Sequence, residues 1–485
     1  MDTDTSLGPM ESEPESEWST DDDESQEGVE KNYREDFETV LKAINLDPLP
    51  GYASQVRKAL DPNAPGVKRI GERFFGSWHM FWPVIFEDGV KWLFKVAPFS
   101  NKGKCTYVDS ANFRTEALTM RLLRRETTIP IPEVFDFNPS CDNEFNCAFM
   151  LIGFMEGKEL AYVWFDMTSP KEVVQRRRTR ALQGIAAYMA QLDKYSFDKG
   201  GFLLFDDQDR LSGIGPALTP DLWGVAKPQS ADDVDYAEGY VRTGPLTDPK
   251  EYFTSELYNR GKQDTMFKRG AIRLLRMFFD AMPTPYDGRK PFVLAHPNLS
   301  IDNFLVSEEG EVMAVLDWEN VMAVPRTLGN ERLPDWLTLD WHPWYEWTKE
   351  MGNNPEHYHT AWTESPKTLK YFRSVYASAV WSCQHHEPST RPTGPTLTSH
   401  SLIYDILFMA AASPPMMMEI LRKVFGEIKT MLEREGLKLE VEGDDEDAFT
   451  CYSVEAGLGE NRLSEHRRSL LMRGFQLLLQ HSHEL

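Results

Sequence analysis

At 485 residues with 41 % apolar side chains, the chain is long enough for two or three compact units with sizeable cores. Its 76 acidic against 52 basic residues, a net charge of −24, exclude nucleic acid as the main partner, because phosphate-backbone binding needs basic surface. Five cysteines without a C-x-x-C spacing predict a reducing, cytoplasmic setting with neither a disulfide framework nor a cysteine zinc site, and no apolar run approaches the roughly 18 residues that span a bilayer.

Residues 1–32 are acidic and serine-rich, with no lysine or arginine before Lys31. Such a segment buries too little apolar surface to offset its chain entropy and is expected to be a disordered acidic tail, with Ser12, Ser16 and Ser25 beside acids. Helical spacing follows from Tyr33 to Leu60 through Phe37, Val40, Leu41 and Ile44. A strand-rich stretch comes next. Gly71 and Gly76 precede the alternating Trp78, Met80, Trp82, Val84 and Phe86; Asp88-Gly89 is a hairpin turn signal; and Lys91 to Pro98 reads as a strand with Lys95 inside it. Phe113 to Arg125 is expected to be a helix carrying Glu116, ended by Ile129-Pro-Ile-Pro132. Val134 to Phe137 and Ala148 to Phe154 are strand candidates, the second running into a connector at Gly153 to Gly157.

Ser169-Pro-Lys-Glu172 has the form of a capping box and starts a helix to about Lys194, with Arg176, Arg177, Arg178 and Arg180 on an expected solvated face. Residues 200–265 are rich in glycine, proline and aspartate, with a strand at Gly201 to Phe205. Ala271 to Met282 is a further helix. After it, Leu294 to Glu319 reads as a strand end, a polar loop, a short strand, a turn at Glu308 to Gly310 and a second strand ending in an acid. An aromatic block follows (Trp336, Trp341, Trp344, Tyr345, Trp347), best read as a buried wall. His385-His386 is expected to be loop. Two helices fill 401–436 around Ser413-Pro-Pro415, and a helix from His466 closes the chain after the acidic loop at Asp444 to Asp447.

The chemistry concentrates in Leu294 to Glu319. His296, Asn298, Asn303 and Asp317 follow the spacing of a kinase catalytic loop and its metal-binding acid. In that arrangement the third residue of the His motif takes the substrate hydroxyl proton, while the later asparagine and the strand-end acid hold magnesium against ATP. Upstream, Lys95 is placed to hold the phosphates, Glu116 to hold Lys95, Gly76 and Ser77 to cover the phosphates, and the backbone at Gly153 and Met155 to meet adenine. Each signal alone is ordinary: a strand lysine is usually solvated and a helical glutamate usually lies on the surface. Their order is what gives them weight.

Together these residues resemble the aminoglycoside phosphotransferase family, in the broad form common in fungi. The matches are Gly76, Phe94-Lys95-Val96-Ala97-Pro98, Phe113 to Met120 with Glu116, Ile129 to Phe135, Phe149 to Gly157, His296 to Asn303 and Leu316-Asp317-Trp318-Glu319, within roughly residues 65–350. The resemblance implies an α+β, two-lobed, protein-kinase-like fold: a β-rich lobe over 33–157, a mainly helical lobe over 158–440, and a closing segment over 441–485. It implies ATP and magnesium between the lobes and a small-molecule hydroxyl as acceptor. Two departures stand out. Gly153 replaces an acid often seen in the connector. Asn298 replaces the family's aspartate base, and asparagine has no basic site at neutral pH. General-base help is worth about 10²–10⁴-fold, so the expectation is a slowed enzyme or a nucleotide-binding pseudoenzyme.

Overall fold

The computed structural model describes residues 37–76, 79–97, 105–220, 240–258, 265–283, 288–349, 364–385, 392–437 and 449–485. The expected acidic tail, Ser77, Trp78, His386 and Asp444 to Asp447 lie outside them.

The first sheet is built from strands whose two faces bury different cores. It comprises β1 (Val67–Ile70), β2 (Phe74–Phe75), β3 (Met80–Phe86), β4 (Lys91–Val96), β5 (Val134–Asn138) and β6 (Phe149–Gly153). The order is β1-β3-β4-β6-β5, antiparallel throughout, with β2 also on β3. Successive side chains of a strand point to opposite faces. Met80, Trp82, Val84, Phe86, Trp92, Phe94, Phe149 and Leu151 therefore share one core with Phe37, Val40, Leu49 and Ala53 of the leading helices. Ala97, Met150 and Ile152 face the other way, onto helix α2 and the rest of the protein. Lys95 sits between Phe94 and Val96, so it points to this second face.

The leading segment is two helices rather than one. Residues 37–43 are helical, and α1 (Leu49–Leu60) starts afresh with Pro48 as its cap, since proline cannot continue a preceding turn. Helix α2 (Tyr107–Glu126) begins six residues before the expected Phe113, because Thr106 and Asp109 form a reciprocal capping box. Its face of Phe113, Glu116, Ala117, Met120 and Leu123 is buried.

After β6 the chain crosses through Gly157, whose φ of +140° and whose approach to Leu305 and Val306 leave no room for a side chain. Strand β7 (Lys158–Glu159) then pairs with β14 (Phe304–Val306), which pairs with β15 (Val312–Val315). Short helix α3 (Leu160–Trp164) leads to α4 (Lys171–Ala190), which a 3-10 turn extends to Lys194. No side chain caps α4: Ser169 instead accepts a bond from Arg177, and Asp166 collects the local backbone donors. The arginine face is also not simply solvated. Arg177 pairs with Asp166 at 3.0 Å, and Arg178 pairs with Glu364 at 2.7 Å while lying over the Trp164 ring. Only Arg176 of this set is fully exposed.

A second sheet has the order β10-β9-β16-β13-β8, from β8 (Ser196–Phe197), β9 (Gly201–Phe205), β10 (Leu211–Gly215), β13 (Phe292–Ala295) and β16 (Met322–Pro325). A separate pair, β11 (Ala217–Pro220) and β12 (Tyr240–Thr243), lies within the stretch read as mostly irregular. Helices α5 (Pro249–Tyr258), α6 (Met266–Ala281), α7 (Pro366–His385), α8 (Leu397–Ala412), α9 (Pro414–Arg434), α10 (Cys451–Gly459) and α11 (Glu465–Gln480) complete the protein. His385 ends α7 and stacks on Trp381, so it is helical rather than loop. Of the aromatic block, Trp336 and Trp341 are buried while Trp344 is exposed.

Helices α6 and α10 touch through Gly270, where any Cβ would strike the Glu455 carbonyl. Glu455 itself is buried, and its closest polar partner is the Cys451 thiol, which donates to Oε1 at 3.4 Å. Burial pushes its carboxyl up to about 7. The native state thus keeps a proton that the unfolded chain has lost, and stability falls as pH rises from about 4.5 to 7. Glu455→Gln is expected to leave the melting temperature unchanged at pH 5 and to stabilise the protein at pH 8 by on the order of 1–2 kcal/mol, measured by thermal denaturation at both pH values.

Candidate active site

Lys95 and Glu116 meet where β4 passes under α2. Lys95 Nζ lies 2.5 Å from Glu116 Oε1, and both side chains are buried. Strand alternation aims the lysine at the helix, and the helical period puts Glu116 on the same stripe as Phe113 and Met120. Neither end of this pair faces bulk water.

The opposing wall comes from the β14–β15 hairpin. Asn303 ends a 3-10 turn just before β14, and Asp317 follows β15 by two residues. The Leu316 N–H donates to the Asn303 carbonyl at 2.8 Å, which brings the two residues side by side. Asp317 has φ +61°, a left-handed conformation uncommon outside glycine, and Trp318 behind it is buried with its indole donating to Val315. Burial raises the Asp317 carboxyl above the usual range, against the pull of Lys95; Glu116 adds to the rise and a hydrogen bond from Asn303 opposes it. Lys95 and Asp317 therefore lie near enough to act on each other electrostatically. Glu319, two residues on, is pushed up to about 7 by burial and then by Glu116, against Lys95. One ammonium faces three carboxyls here, an excess of two negative charges when all are ionised.

The polar loop between β13 and β14 is braced from within. His296 is buried; its Nε2 donates to the Leu316 carbonyl at 2.8 Å and its Nδ1 accepts from the Asn298 N–H at 3.3 Å. Burial lowers its pKa to about 4, so the ring is neutral. With both nitrogens engaged, His296 ties the loop to the strand before Asp317. Asn298 is exposed. Its Oδ1 accepts from the Ser300 N–H at 3.1 Å, and its backbone carbonyl accepts from Asn303 Nδ2 at 3.0 Å. The Asn298 side chain still offers its NH₂ group as a donor and the second lone pair of Oδ1 as an acceptor. Asp302 Oδ2 accepts from the Ser300 hydroxyl on the exposed side of the turn.

The remaining predicted residues fall unevenly. Gly76 closes the β2–β3 turn, donating to the His79 carbonyl at 2.8 Å; Ser77 lies outside the described residues. The Gly153 N–H is already donated to Glu133, so it is not available to a ligand. Neither peptide group of Met155 is hydrogen-bonded among the described residues.

Sequence reasoning missed three supports. Arg332 donates to the Pro297 carbonyl at 3.3 Å and to Asp335 at 2.7 Å, while Asp335 accepts nothing less than this charge and gives its N–H to Leu299. Half-buried Asp405 lies 3.6 Å from the same guanidinium. His79, at the end of the β2–β3 turn, lies 3.4 Å from Glu319. No motif marks Arg332 or His79, since their roles come from tertiary contact. Glu319 had one signal, its place two residues after the strand-end acid.

The model of the phosphotransferase enzyme family matches residues 87–327. The sequence has no significant match among curated proteins. Among solved structures the chain is similar to a thermostable mutant of aminoglycoside phosphotransferase APH(4)-Ia in ternary complex with AMP-PNP and hygromycin B, at 12 % identity and TM-score 0.36, over 87 % of this chain and 98 % of that one. It is also similar to an ethanolamine kinase of Plasmodium vivax, at 12 % identity and TM-score 0.35, over 93 % and 97 %. A third is spectinomycin phosphotransferase APH(9)-Ia in complex with ADP and spectinomycin, at 12 % identity and TM-score 0.30, over 76 % and 98 %.

Removing the cation that braces the loop leaves Asp335 and Asp405 facing each other without a counter-charge. Burial already holds Asp405 up to about 6, with Arg332 pulling it down. Arg332→Ala is therefore expected to cost about 3 kcal/mol at pH 8 and distinctly less at pH 5, where Asp405 takes a proton. Chemical denaturation at the two pH values measures the difference.

Proposed function

This chain belongs, over residues 87–327, to the phosphotransferase enzyme family, and on that premise we propose that it binds ATP with magnesium in the cleft between Lys95 and Asp317 and transfers the γ-phosphoryl group to a hydroxyl of a small molecule. Residues 33–157 form the lobe that presents Lys95, and residues 158–440 the lobe that presents Asp317 and the acceptor. The observation that carries the reading is the buried Lys95–Glu116 pair set against the Asn303–Asp317 hairpin.

The residues fit a divalent cation. Asp317 is a carboxylate held in a negative cleft, and Asn303 beside it carries a neutral amide, a pairing of hard oxygen donors that suits magnesium. When bound there the ion supplies charge neutralisation for the phosphates. Glu116 keeps the Lys95 ammonium extended so that it can meet phosphate oxygens without a search through rotamers. His296 holds Asn298 and Asp317 at a fixed separation through the Leu316 carbonyl. The unpaired peptide groups of Met155 are the free backbone partners for an adenine edge in the connector.

Asn298 sets the rate. Its amide orients an acceptor hydroxyl, through the second lone pair of Oδ1 or through the NH₂ group, and removes no proton. Positioning and charge carry most of phosphoryl transfer, so this reading gives a slow enzyme. A second reading, nucleotide binding without transfer, draws on the same Asn298 geometry.

Two outcomes follow. Lys95→Ala or Asp317→Ala is expected to abolish magnesium-dependent thermal stabilisation by millimolar ATP, while the unliganded melting temperature shifts little for Asp317→Ala. Asn298→Asp is expected to raise phosphoryl transfer to small hydroxyl acceptors by about 10²-fold or more, with ATP affinity unchanged. Steady-state ATP turnover against an acceptor panel measures it; no gain with any acceptor leaves the second reading.

A further inference from the structure

His79 is a cleft side chain that the proposed reaction does not use. It is buried, its ring makes no hydrogen bond among the described residues, and its Nε2 points at Glu319 Oε2 from 3.4 Å. Burial, and then Lys95, favour the neutral imidazole, which keeps one lone-pair nitrogen, Nδ1 or Nε2 according to its tautomer. One ligand atom each from His79, Glu116 and Glu319 lie within 4.8 Å of one another. The three come from separate elements: the turn into β3, helix α2, and the segment after Asp317.

We propose that His79, Glu116 and Glu319 form a second divalent-cation site, distinct from the Asn303–Asp317 pair, that takes a transition ion of the zinc class in preference to magnesium. The proposal shares its cleft with the function above but does not require that phosphoryl transfer occur.

Three arguments support it. The first is geometric. With metal–ligand bonds of about 2.0–2.1 Å, two ligands on a tetrahedral zinc lie about 3.4 Å apart. His79 and Glu319 already stand at 3.4 Å, and the widest separation permitted in the group, 4.8 Å, has to close by only about 1.4 Å. A change of glutamate rotamer covers that. The second is charge. Three carboxylate side chains, Glu116, Asp317 and Glu319, stand near the single ammonium of Lys95. A divalent ion removes the excess. The third is ligand type. Magnesium takes oxygen ligands and waters, whereas an imidazole nitrogen favours zinc, cobalt or nickel. Glu116 need not release Lys95, because a carboxylate has two oxygens and can hold the ammonium on one and the metal on the other. Three protein ligands leave a fourth position for water.

A plain hydrogen-bonded contact between His79 and Glu319 is the competing account. At 3.4 Å it is long for a charge-assisted bond, which lies near 2.7–2.9 Å, and it equals the spacing of two ligands on a tetrahedral ion. Bound metal would join the β2–β3 turn to the segment carrying Asp317, a cross-link over the mouth of the cleft.

The test uses the full chain, stripped with chelator and titrated calorimetrically with Zn²⁺, then with Co²⁺ followed by its visible absorption. The expected result is one ion per chain, an intense tetrahedral Co²⁺ band, and retention of zinc in excess Mg²⁺. His79→Ala and Glu319→Gln are each expected to weaken binding by about tenfold or more and to remove the band. If one variant fails to fold, the other decides. Absence of binding in the wild-type chain, or undiminished binding in a folded variant, overturns the site in favour of the metal-free contact or an ion held elsewhere. Thermal stabilisation by magnesium and ATP, measured on the same samples, separates this failure from failure of the nucleotide reading.

Discussion

A lysine and a glutamate 2.5 Å apart inside a protein are not there for stability. Removing two charges from water costs several kcal/mol for each ion, and their attraction in the interior returns that only when the geometry is good and the remaining donors are met. Two well-packed apolar residues would serve the fold as well. Lys95 and Glu116 are placed by two independent periodicities, the strand's and the helix's, and both must be in register for the atoms to meet. Such a pair makes physical sense when its purpose is to hold an ammonium ready for a ligand of opposite charge. The sheet, with one face sealed by the leading helices and the other by α2, is the rigid base that keeps it.

The opposite wall obeys a similar logic with different means. Asp317 departs from ordinary backbone conformation, and the strain is tolerated because everything around it is determined. The hairpin holds it to Asn303, buried Trp318 anchors the next residue, and the neutral His296 ring links the loop to Leu316. Arg332 secures the same loop from behind through the Pro297 carbonyl. The loop is thus braced by a cation on its far side while the cleft itself is left with an excess of negative charge.

Much of this was legible in the sequence, and the reasons differ by residue. β3 and β4 announced themselves by alternation and by the Asp88-Gly89 turn, and the Leu294 to Glu319 hairpin by its polar loop between apolar strands. Lys95, Glu116, Asn303 and Asp317 were legible because each sits at a fixed place in that order. The start of α2 was not, because its capping box at Thr106 and Asp109 follows a polar loop that carries no apolar period. The arginines of α4 were misread as solvated because their partners, Asp166 and Glu364, are a loop residue and one nearly two hundred positions away. The motif marked His296, but its two backbone bonds, to the Leu316 carbonyl and from the Asn298 N–H, carried no local signal. Arg332 and His79 had no local pattern at all, since a single polar residue acquires meaning only from what folds against it.

Asn298 ties these strands of argument together. A motif can lose its base and keep its shape only if the shape does not depend on that side chain's charge. Here it does not: the loop is held by the His296 ring, by the Asn298 backbone groups and by the Asn303 amide, all of which survive exchange of a carboxylate for an amide. The amide also keeps the Ser300 N–H bond that a carboxylate oxygen would accept. The exchange removes proton acceptance from the loop while leaving its backbone bonds in place. The shape of the loop is therefore separable from the charge of the side chain at this position, in a way that it is not when one aspartate's charge holds the loop together.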